Sequence, residues 1–178
     1  IQTGERAWHF QTVHHDIWDW DNPVAPVLVD VTVDGVAIPA VVQTTKHGFA
    51  FAFNRETGEP LWPIDERPVP AGNVPGEWYS PTQPYPSKPA GYELQGLSID
   101  DLMDFTPELR RMAIEQVSDI NLGPLFNPYV HADNDDGWRA VAQCAVWSDS
   151  RKKSCDKPLH WFHMSLGVSK QLGHSDCR

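Results

Sequence analysis

Residues 27–54 read VLVDVTVDGVAIPAVVQTTKHGFAFAFN, and this stretch predicts antiparallel strands joined by tight turns. Valine alternates with other residues from Val27 to Val33, which is the period of a β-strand. Asp34-Gly35 is a typical two-residue hairpin turn, so the chain is expected to return from Val36 to Thr44. This part of the chain is therefore predicted to be a β-meander.

The meander continues through a turn at Lys46-His47-Gly48. Phe49, Phe51 and Phe53 then alternate with alanines, which predicts a strand with one face buried against large neighbours. Pro39 lies within the second strand, and since proline cannot donate to a ladder, it favours a bulge or an edge position there.

A short motif recurs on both sides of the meander. The pattern T-G-E-x-x-W occupies residues 3–8 and again residues 57–62, an offset of 54 residues. This offset is close to the length of a propeller blade with long loops. Thr-Gly allows a turn with positive φ, and the closing tryptophan can pack over a neighbouring sheet. Coincidence remains the alternative for two copies.

Two further segments complete the folded part. Residues 63–89 contain eight prolines, too many for the interior of a sheet or helix, and predict an ordered excursion or a flexible linker. Its aromatic residues favour an ordered loop that covers something. Thr106 and Pro107 then predict the N-cap and first position of a helix that packs on the sheet or on a partner. Its expected apolar face consists of Leu109, Met112, Ala113 and Val117.

The composition changes after residue 128. Residues 129–178 contain all three cysteines, half of the fourteen Lys and Arg residues and no Glu. We therefore expect residues 1–128 to be one segment and residues 129–178 to be an atypical tail, frameshifted, misjoined or disordered, with a lineage-specific extension as the alternative. An odd number of cysteines leaves their redox state open.

The chain is long enough, at 178 residues, to bury one core. Its formal charge of -10 and the lack of a basic stripe argue against a nucleic-acid partner. No apolar stretch approaches the roughly 20 residues that span a bilayer.

The acidic run His14-His15-Asp16-Ile17-Trp18-Asp19-Trp20-Asp21 is the first candidate site. If this run is extended, Asp19 and Asp21 point to one face and the tryptophans to the other. Two carboxylates on one face form a hard-oxygen site for a divalent or trivalent cation, or a base tuned by its neighbour. The alternative is an acidic surface turn.

Lys46 is expected near Asp19, because Lys46 lies where the second strand ends, roughly level with the start of the first strand, and Asp19 precedes that start. Such a pair is either a solvated salt bridge or a general base with a fixed cation, and the residues alone do not choose. His9, His14, His15 and Asp16 do not match a familiar zinc spacing. The collection Cys144, Cys155, His160, His163 and Cys177 has no close C-x-x-C pair and is weaker still.

The stretch from Thr3 to Asp21 resembles the signature segment of the dehydrogenases that depend on pyrroloquinoline quinone (PQQ), in the glucose, quinate and polyol dehydrogenase branch. The likeness continues in order through Pro39 to Lys46, Asp65 to Pro70, Ser80 to Pro86, Asp104 to Arg110 and Gly123 to Phe126.

The resemblance implies an all-β fold, an eight-bladed β-propeller whose blades are locked by tryptophan-docking turns. It implies that Asp19 is the base that takes the proton of the substrate hydroxyl while hydride passes to PQQ, and that Lys46 contacts the quinone oxygens. It also implies calcium or magnesium as a Lewis acid. Asp21 stands where lanthanide-using relatives carry an extra acid, so Asp19 and Asp21 are candidate metal ligands.

Members of this family are several times longer, so this chain is expected to supply about two of the eight blades, with the remaining blades missing, and to be inactive in isolation. The parent enzyme is expected to oxidise a sugar, polyol or other alcohol in the periplasm or at the periplasmic face of the inner membrane. Its electron acceptor is expected to be ubiquinone or cytochrome c. Two alternatives remain, a noncatalytic propeller module for binding or assembly and a cation-binding β domain. The noncatalytic module has no reason to keep both Asp19 and Lys46, whereas the cation-binding domain would use Asp19 and Asp21 without quinone.

Overall fold

The computed structural model of the chain describes residues 3–131, 133, 140 and 141. Strands β1 (Val27–Val33), β2 (Val36–Thr44) and β3 (Ala50–Asn54) form one antiparallel sheet in that order. The predicted meander is confirmed, and Val33 pairs with Val36 across the two-residue turn. Asp34 and Gly35 have φ values of 50° and 81°, as a type I′ turn requires.

Pro39 does not lie at a bulge, and β2 is not an edge strand, but Pro39 stands just outside the paired register of β2 with β3, which begins at Ala40, so the predicted edge position holds locally. β2 is the central strand, and Pro39 pairs in unbroken register with Asp30. The carbonyl of Pro39 accepts a hydrogen bond from the backbone N–H of Arg55 at 2.9 Å, just past the last residue of β3. The N and O atoms of one strand residue point to the same side, so the missing N–H of Pro39 faces a place where the ladder with β3 has already ended.

Strand β3 is buried more completely than predicted. Its phenylalanines are at most 4% exposed, but Ala50 and Ala52 on the other face are also buried, at 7% and 6%. The outer edge of β3 is covered, because Leu61 N–H donates to the carbonyl of Ala52 at 2.9 Å. The main core forms around this strand from the following residues: Val13, Trp18, Trp20, Phe49, Phe51, Phe53, Leu125 and Phe126.

The proline-rich segment contains a second sheet, contrary to the prediction. β4 (Ile64–Pro68) and β5 (Thr82–Pro86) pair antiparallel. Hydrogen bonds from Val69 N–H to Pro81 O and from Ser87 N–H to Pro63 O show which positions face the partner strand. The prolines inside the strands occupy the alternate positions, so their nitrogens face the unpaired edge of this two-stranded ribbon. The part of the prediction that favoured order is confirmed, since Gln83 is fully buried.

The predicted helix is present as α1 (Pro107–Gln116), and the Thr106 side chain caps it by accepting a hydrogen bond from Leu109 N–H at 3.2 Å. Its apolar face is only partly used. Leu109 and Met112 are 37% and 44% exposed, while Ala113 packs on a small second core with Val117. This core consists of Leu97, Leu102, Val117 and Ile120, which places the helix against loop residues and β6 (Ile120–Asn121) instead of the main sheet.

Strand β6 pairs in parallel with β7 (Ala140–Val141). The chain is therefore mainly β in its described residues, with sheets of three, two and two strands and no closed ring among them. No helix in the described part is long and apolar enough to cross a membrane. The prediction of an atypical tail at residues 129–178 falls almost wholly outside the described residues.

The two copies of the T-G-E-x-x-W motif contact each other in the structure. Gly4 and Gly58 adopt nearly the same φ, 73° and 79°. The indole of Trp8, from the first copy, lies directly over Gly58 of the second copy, and its Nε1 donates to the carbonyl of Arg55 at 3.1 Å. The first motif thus docks on the turn of the second.

Candidate active site

The run from His14 to Asp21 is an irregular loop and not an extended strand as assumed. His15 and Asp19 have positive φ values of 44° and 64°. The sorting of side chains nevertheless agrees with the prediction. Trp18 and Trp20 are buried at 6% and 2%, whereas the side chains of Asp19 and Asp21 are 91% and 63% exposed.

The two tryptophans attach this loop to the main core. Their rings stack with centroids 5.2 Å apart at an angle of 18°, and both meet the edge of Phe126. Trp18 Nε1 also donates to the carbonyl of Asn127 at 2.7 Å. The loop therefore presents its aspartates from a rigid aromatic base.

Lys46 reaches this loop from the turn between β2 and β3. Thr45 closes that turn through hydrogen bonds with Phe49, and Gly48 supplies the positive φ of 80° that the turn needs. Lys46 Nζ lies 2.5 Å from Asp21 Oδ1, 3.4 Å from Asp19 Oδ2 and 2.7 Å from the carbonyl of Asp19. The expected proximity of Lys46 and Asp19 is confirmed, and Asp21 is the nearer carboxylate.

The charges of this cluster support one another. The hydrogen bond from Lys46 lowers the pKa of Asp21 below its ordinary value. Partial burial acts to lower the pKa of Lys46, but its hydrogen bond with Asp21 and the charges of Asp19 and Asp21 outweigh this effect, so the pKa lies above its ordinary value. Lys46 is therefore a fixed ammonium whose side chain is 16% exposed.

His47 is a feature that the sequence did not predict. It follows Lys46 in a turn, yet it is 1% exposed and stacks on Trp20 with ring centroids 5.4 Å apart. Burial lowers the pKa of His47 to about 4, so the ring is neutral near pH 7. Neither ring nitrogen has a hydrogen-bond partner among the described residues. Because the His47 ring is neutral, it adds no second positive charge next to Lys46 in the chain.

The proline-rich segment is bound to the same loop. The Gln83 side chain accepts from His14 N–H and donates to His14 O, both at 2.7 Å. His14 and His15 also meet Glu66 and Glu77, each at 2.9 Å between Nε2 and Oε1. This agrees with the prediction of a loop that covers something, because the covered surface is the base of the candidate site.

Comparison with known families identifies the chain. The family described as "PQQ: Glucose/ethanol/alcohol dehydrogenase, beta-propeller domain" matches residues 1–138. The chain belongs to the PQQ-dependent dehydrogenase family. This confirms the resemblance that the acidic run and Lys46 predicted.

Several curated relatives of the PQQ-dependent dehydrogenase family match parts of the chain. Quinoprotein glucose dehydrogenase of Gluconobacter oxydans is 53% identical over 83 residues, which is 46% of this chain and 10% of the relative. Glycerol dehydrogenase large subunit of Gluconobacter thailandicus is 38% identical over 109 residues, 60% of this chain and 15% of the relative.

Quinate/shikimate dehydrogenase (quinone) of Acinetobacter baylyi is 42% identical over 106 residues, 59% of this chain and 13% of the relative. The matches thus span 10% to 15% of these three relatives. No solved structure matches the chain.

The cluster holds donor groups of the kind that PQQ needs. An ammonium held beside an exposed carboxylate suits a quinone oxygen next to an alcohol hydroxyl. Asp19 and Asp21 carry hard carboxylate oxygens of the kind that calcium prefers, and both are paired with Lys46 in this structure. The part of the chain that the structure describes contains no group of three His, Cys, Asp or Glu side chains that could hold a metal by itself.

Proposed function

We propose that the chain supplies the catalytic base and one cofactor contact of a PQQ-dependent dehydrogenase that oxidises a sugar, polyol or other alcohol. Asp19 is the base, and Lys46 is the contact to the quinone oxygens. The observation that carries this proposal is the position of the Lys46 ammonium, 3.4 Å from a carboxylate whose side chain is 91% exposed. A base must be open to its substrate, and Asp19 is.

The residues of the chain divide the chemistry between them. When bound, PQQ supplies the two-electron oxidant that takes hydride from the alcohol carbon. Asp19 accepts the hydroxyl proton, so that the alcohol leaves as a carbonyl compound. Lys46 provides a fixed positive charge beside the negative charge that develops on the quinone oxygen, and Asp21 keeps that ammonium in place.

The proposed architecture is about two blades of a propeller. The docking of Trp8 on Gly58 supports this, because it joins two units of the repeated motif. The exposed apolar residues of β1 and of the first position of β2 support it too, since Val27, Leu28 and Val36 are 60%, 69% and 61% exposed and would be covered by further blades. We therefore propose that activity requires the complete enzyme. Its proposed location is the periplasm or the periplasmic face of the inner membrane, with ubiquinone or cytochrome c as acceptor.

The test is Asp19→Asn in the complete enzyme that contains this chain, loaded with PQQ. Reduction of an artificial dye is measured with glucose, glycerol and quinate as substrates. Loss of a general base lowers turnover by about 10²- to 10⁴-fold, so the variant should lose nearly all activity with its near-UV circular dichroism unchanged. Asp65→Asn is the matched control, because Asp65 is an exposed aspartate paired with Arg67 at 3.3 Å.

Turnover of Asp19→Asn within a few-fold of the parent would overturn the assignment of the base. If the parent neither binds PQQ nor reduces the dye with any of these substrates, the noncatalytic propeller module becomes the better description.

A further inference from the structure

Asp16 lies three residues before Asp19 and takes no part in the chemistry proposed above. Its two carboxylate oxygens are both engaged by the backbone. Oδ1 accepts the N–H of Trp18 at 2.9 Å, and Oδ2 accepts the N–H of Trp20 at 2.7 Å. These two residues stand immediately before and after Asp19, so Asp16 holds the backbone on both sides of it.

Asp19 needs such support because of its backbone conformation. Its φ of 64° is in the left-handed region, which is less favourable than the right-handed region for a residue with a Cβ, although aspartate tolerates it better than most. A strained conformation persists only where the surroundings fix it. Hydrogen bonds from backbone N–H groups to a carboxylate are of the stronger, charge-assisted kind.

The same conformation determines where Lys46 lies. The ammonium of Lys46 contacts the carbonyl of Asp19 at 2.7 Å as well as the carboxylates of Asp19 and Asp21. A rotation of the backbone at Asp19 would carry its carbonyl and its carboxylate away together. The Lys46 contacts therefore depend on the backbone geometry that Asp16 fixes.

The indoles on either side are fixed independently of Asp16. Trp18 is bonded to Asn127, and Trp20 lies between Trp18 and His47 in a continuous stack with centroid separations of 5.2 and 5.4 Å. Removal of the Asp16 carboxylate should consequently release the backbone of this loop while the core beneath it stays packed. The effect is expected to be local.

We propose that Asp16 is a positioning residue that sets the placement of Asp19 relative to Lys46. This inference rests on the proposed function for its catalytic meaning, because it assigns no chemical step to Asp16. It adds Asp16 to the cluster of Asp19, Asp21 and Lys46, because Asp16 shapes the loop whose two aspartates hold Lys46.

The test compares Asp16→Ala, Asp16→Asn and the control Asp65→Ala in the full 178-residue chain. The first readout is amide hydrogen exchange at Trp18 and Trp20 by NMR. Loss of a hydrogen bond to a charged acceptor should speed exchange at both amides roughly 10- to 100-fold in Asp16→Ala. Asp16→Asn keeps one acceptor oxygen, so it should give a smaller increase, and Asp65→Ala should give none.

The second readout is the NMR titration of the Lys46 side chain, which a merely structural role would not change. The pKa of Lys46 should fall toward its ordinary value in Asp16→Ala, because the carboxylates that raise it are no longer held beside it. Faster exchange with an unchanged Lys46 titration would overturn the positioning role, and so would exchange equal to that of Asp65→Ala. If Asp16→Ala does not fold, Asp16→Asn decides by the same two criteria. Neither readout involves PQQ, so a failure of the Asp16 proposal can be told apart from a failure of the proposed function in the Asp19→Asn test.

Discussion

Substitution of Gly58 by alanine should destabilise the chain much more than the same substitution at Gly4. Both glycines occupy the same place in the T-G-E-x-x-W motif, and their φ values are 79° and 73°. A Cβ on Gly58 would lie 2.6 Å from Cγ of Trp8, whereas among the described residues nothing lies within 4 Å of a Cβ on Gly4. The pair therefore separates backbone strain from the docking of Trp8.

The magnitudes follow from these contacts. Positive φ costs alanine roughly 1–2 kcal/mol at either position. At Gly58 the Trp8 indole must also move, which breaks its hydrogen bond to the Arg55 carbonyl, a loss of about 1 kcal/mol. The ring contact of Trp8 with Phe53, with centroids 5.6 Å apart, is worth a further ~0.5–1.5 kcal/mol. Gly58→Ala should thus lower the free energy of unfolding by about 2 kcal/mol more than Gly4→Ala.

The assay is urea unfolding followed by circular dichroism and tryptophan fluorescence, with the free energy extrapolated to zero denaturant. In a Trp8→Ala background most of the extra loss at Gly58 should disappear, since the indole is gone and only the Cβ of residue 8 remains, 2.9 Å from the added Cβ. Equal losses for the two substitutions, or an extra loss at Gly58 that is undiminished in Trp8→Ala, would refute the docking argument.

Three other predictions concern the site and its support. His47→Phe should reduce the acid sensitivity of folding. The pKa of His47 is about 4 in the folded chain and 6.5 in the unfolded chain, so the unfolded chain binds a proton that the folded chain excludes as pH falls between these values. Urea unfolding at pH 7 and pH 4 should show the resulting loss of about 3 kcal/mol in the free energy of unfolding of the parent and not of the variant. Lys46→Met should raise the pKa of Asp21 toward its ordinary value in an NMR titration, because its main hydrogen bond is lost; an unchanged pKa would contradict the pairing. Gln83→Leu should lower the free energy of unfolding by roughly 2–4 kcal/mol, because it unpairs the half-buried backbone N–H and C=O of His14, while Gln116→Leu at an exposed position should have little effect.

Local patterns in the sequence predicted the meander, the Asp34-Gly35 turn and the Thr106 cap. Each of these depends on neighbours a few residues apart, so a short window contains the whole cause. The prediction was wrong where the environment of a residue decides the outcome. Proline is incompatible with a paired strand only where its nitrogen, which has no hydrogen to donate, faces the partner strand. In β4 and β5 the proline nitrogens face the unpaired edge instead.

For the candidate site, the sequence by itself determined the family, and it predicted Asp19, Asp21 and Lys46 as the residues of the site, because they stand in a recognisable order along the chain. Only the tertiary structure decided their contacts. The positive φ at Asp19 turned the predicted strand into a loop, and Asp21 became the nearest partner of Lys46 across 25 residues. Likewise, the burial of His47 and the bond of Gln83 to His14, 69 residues away, result from packing between segments distant in sequence. No periodic pattern encodes such contacts, because they depend on where the ends of separate elements meet.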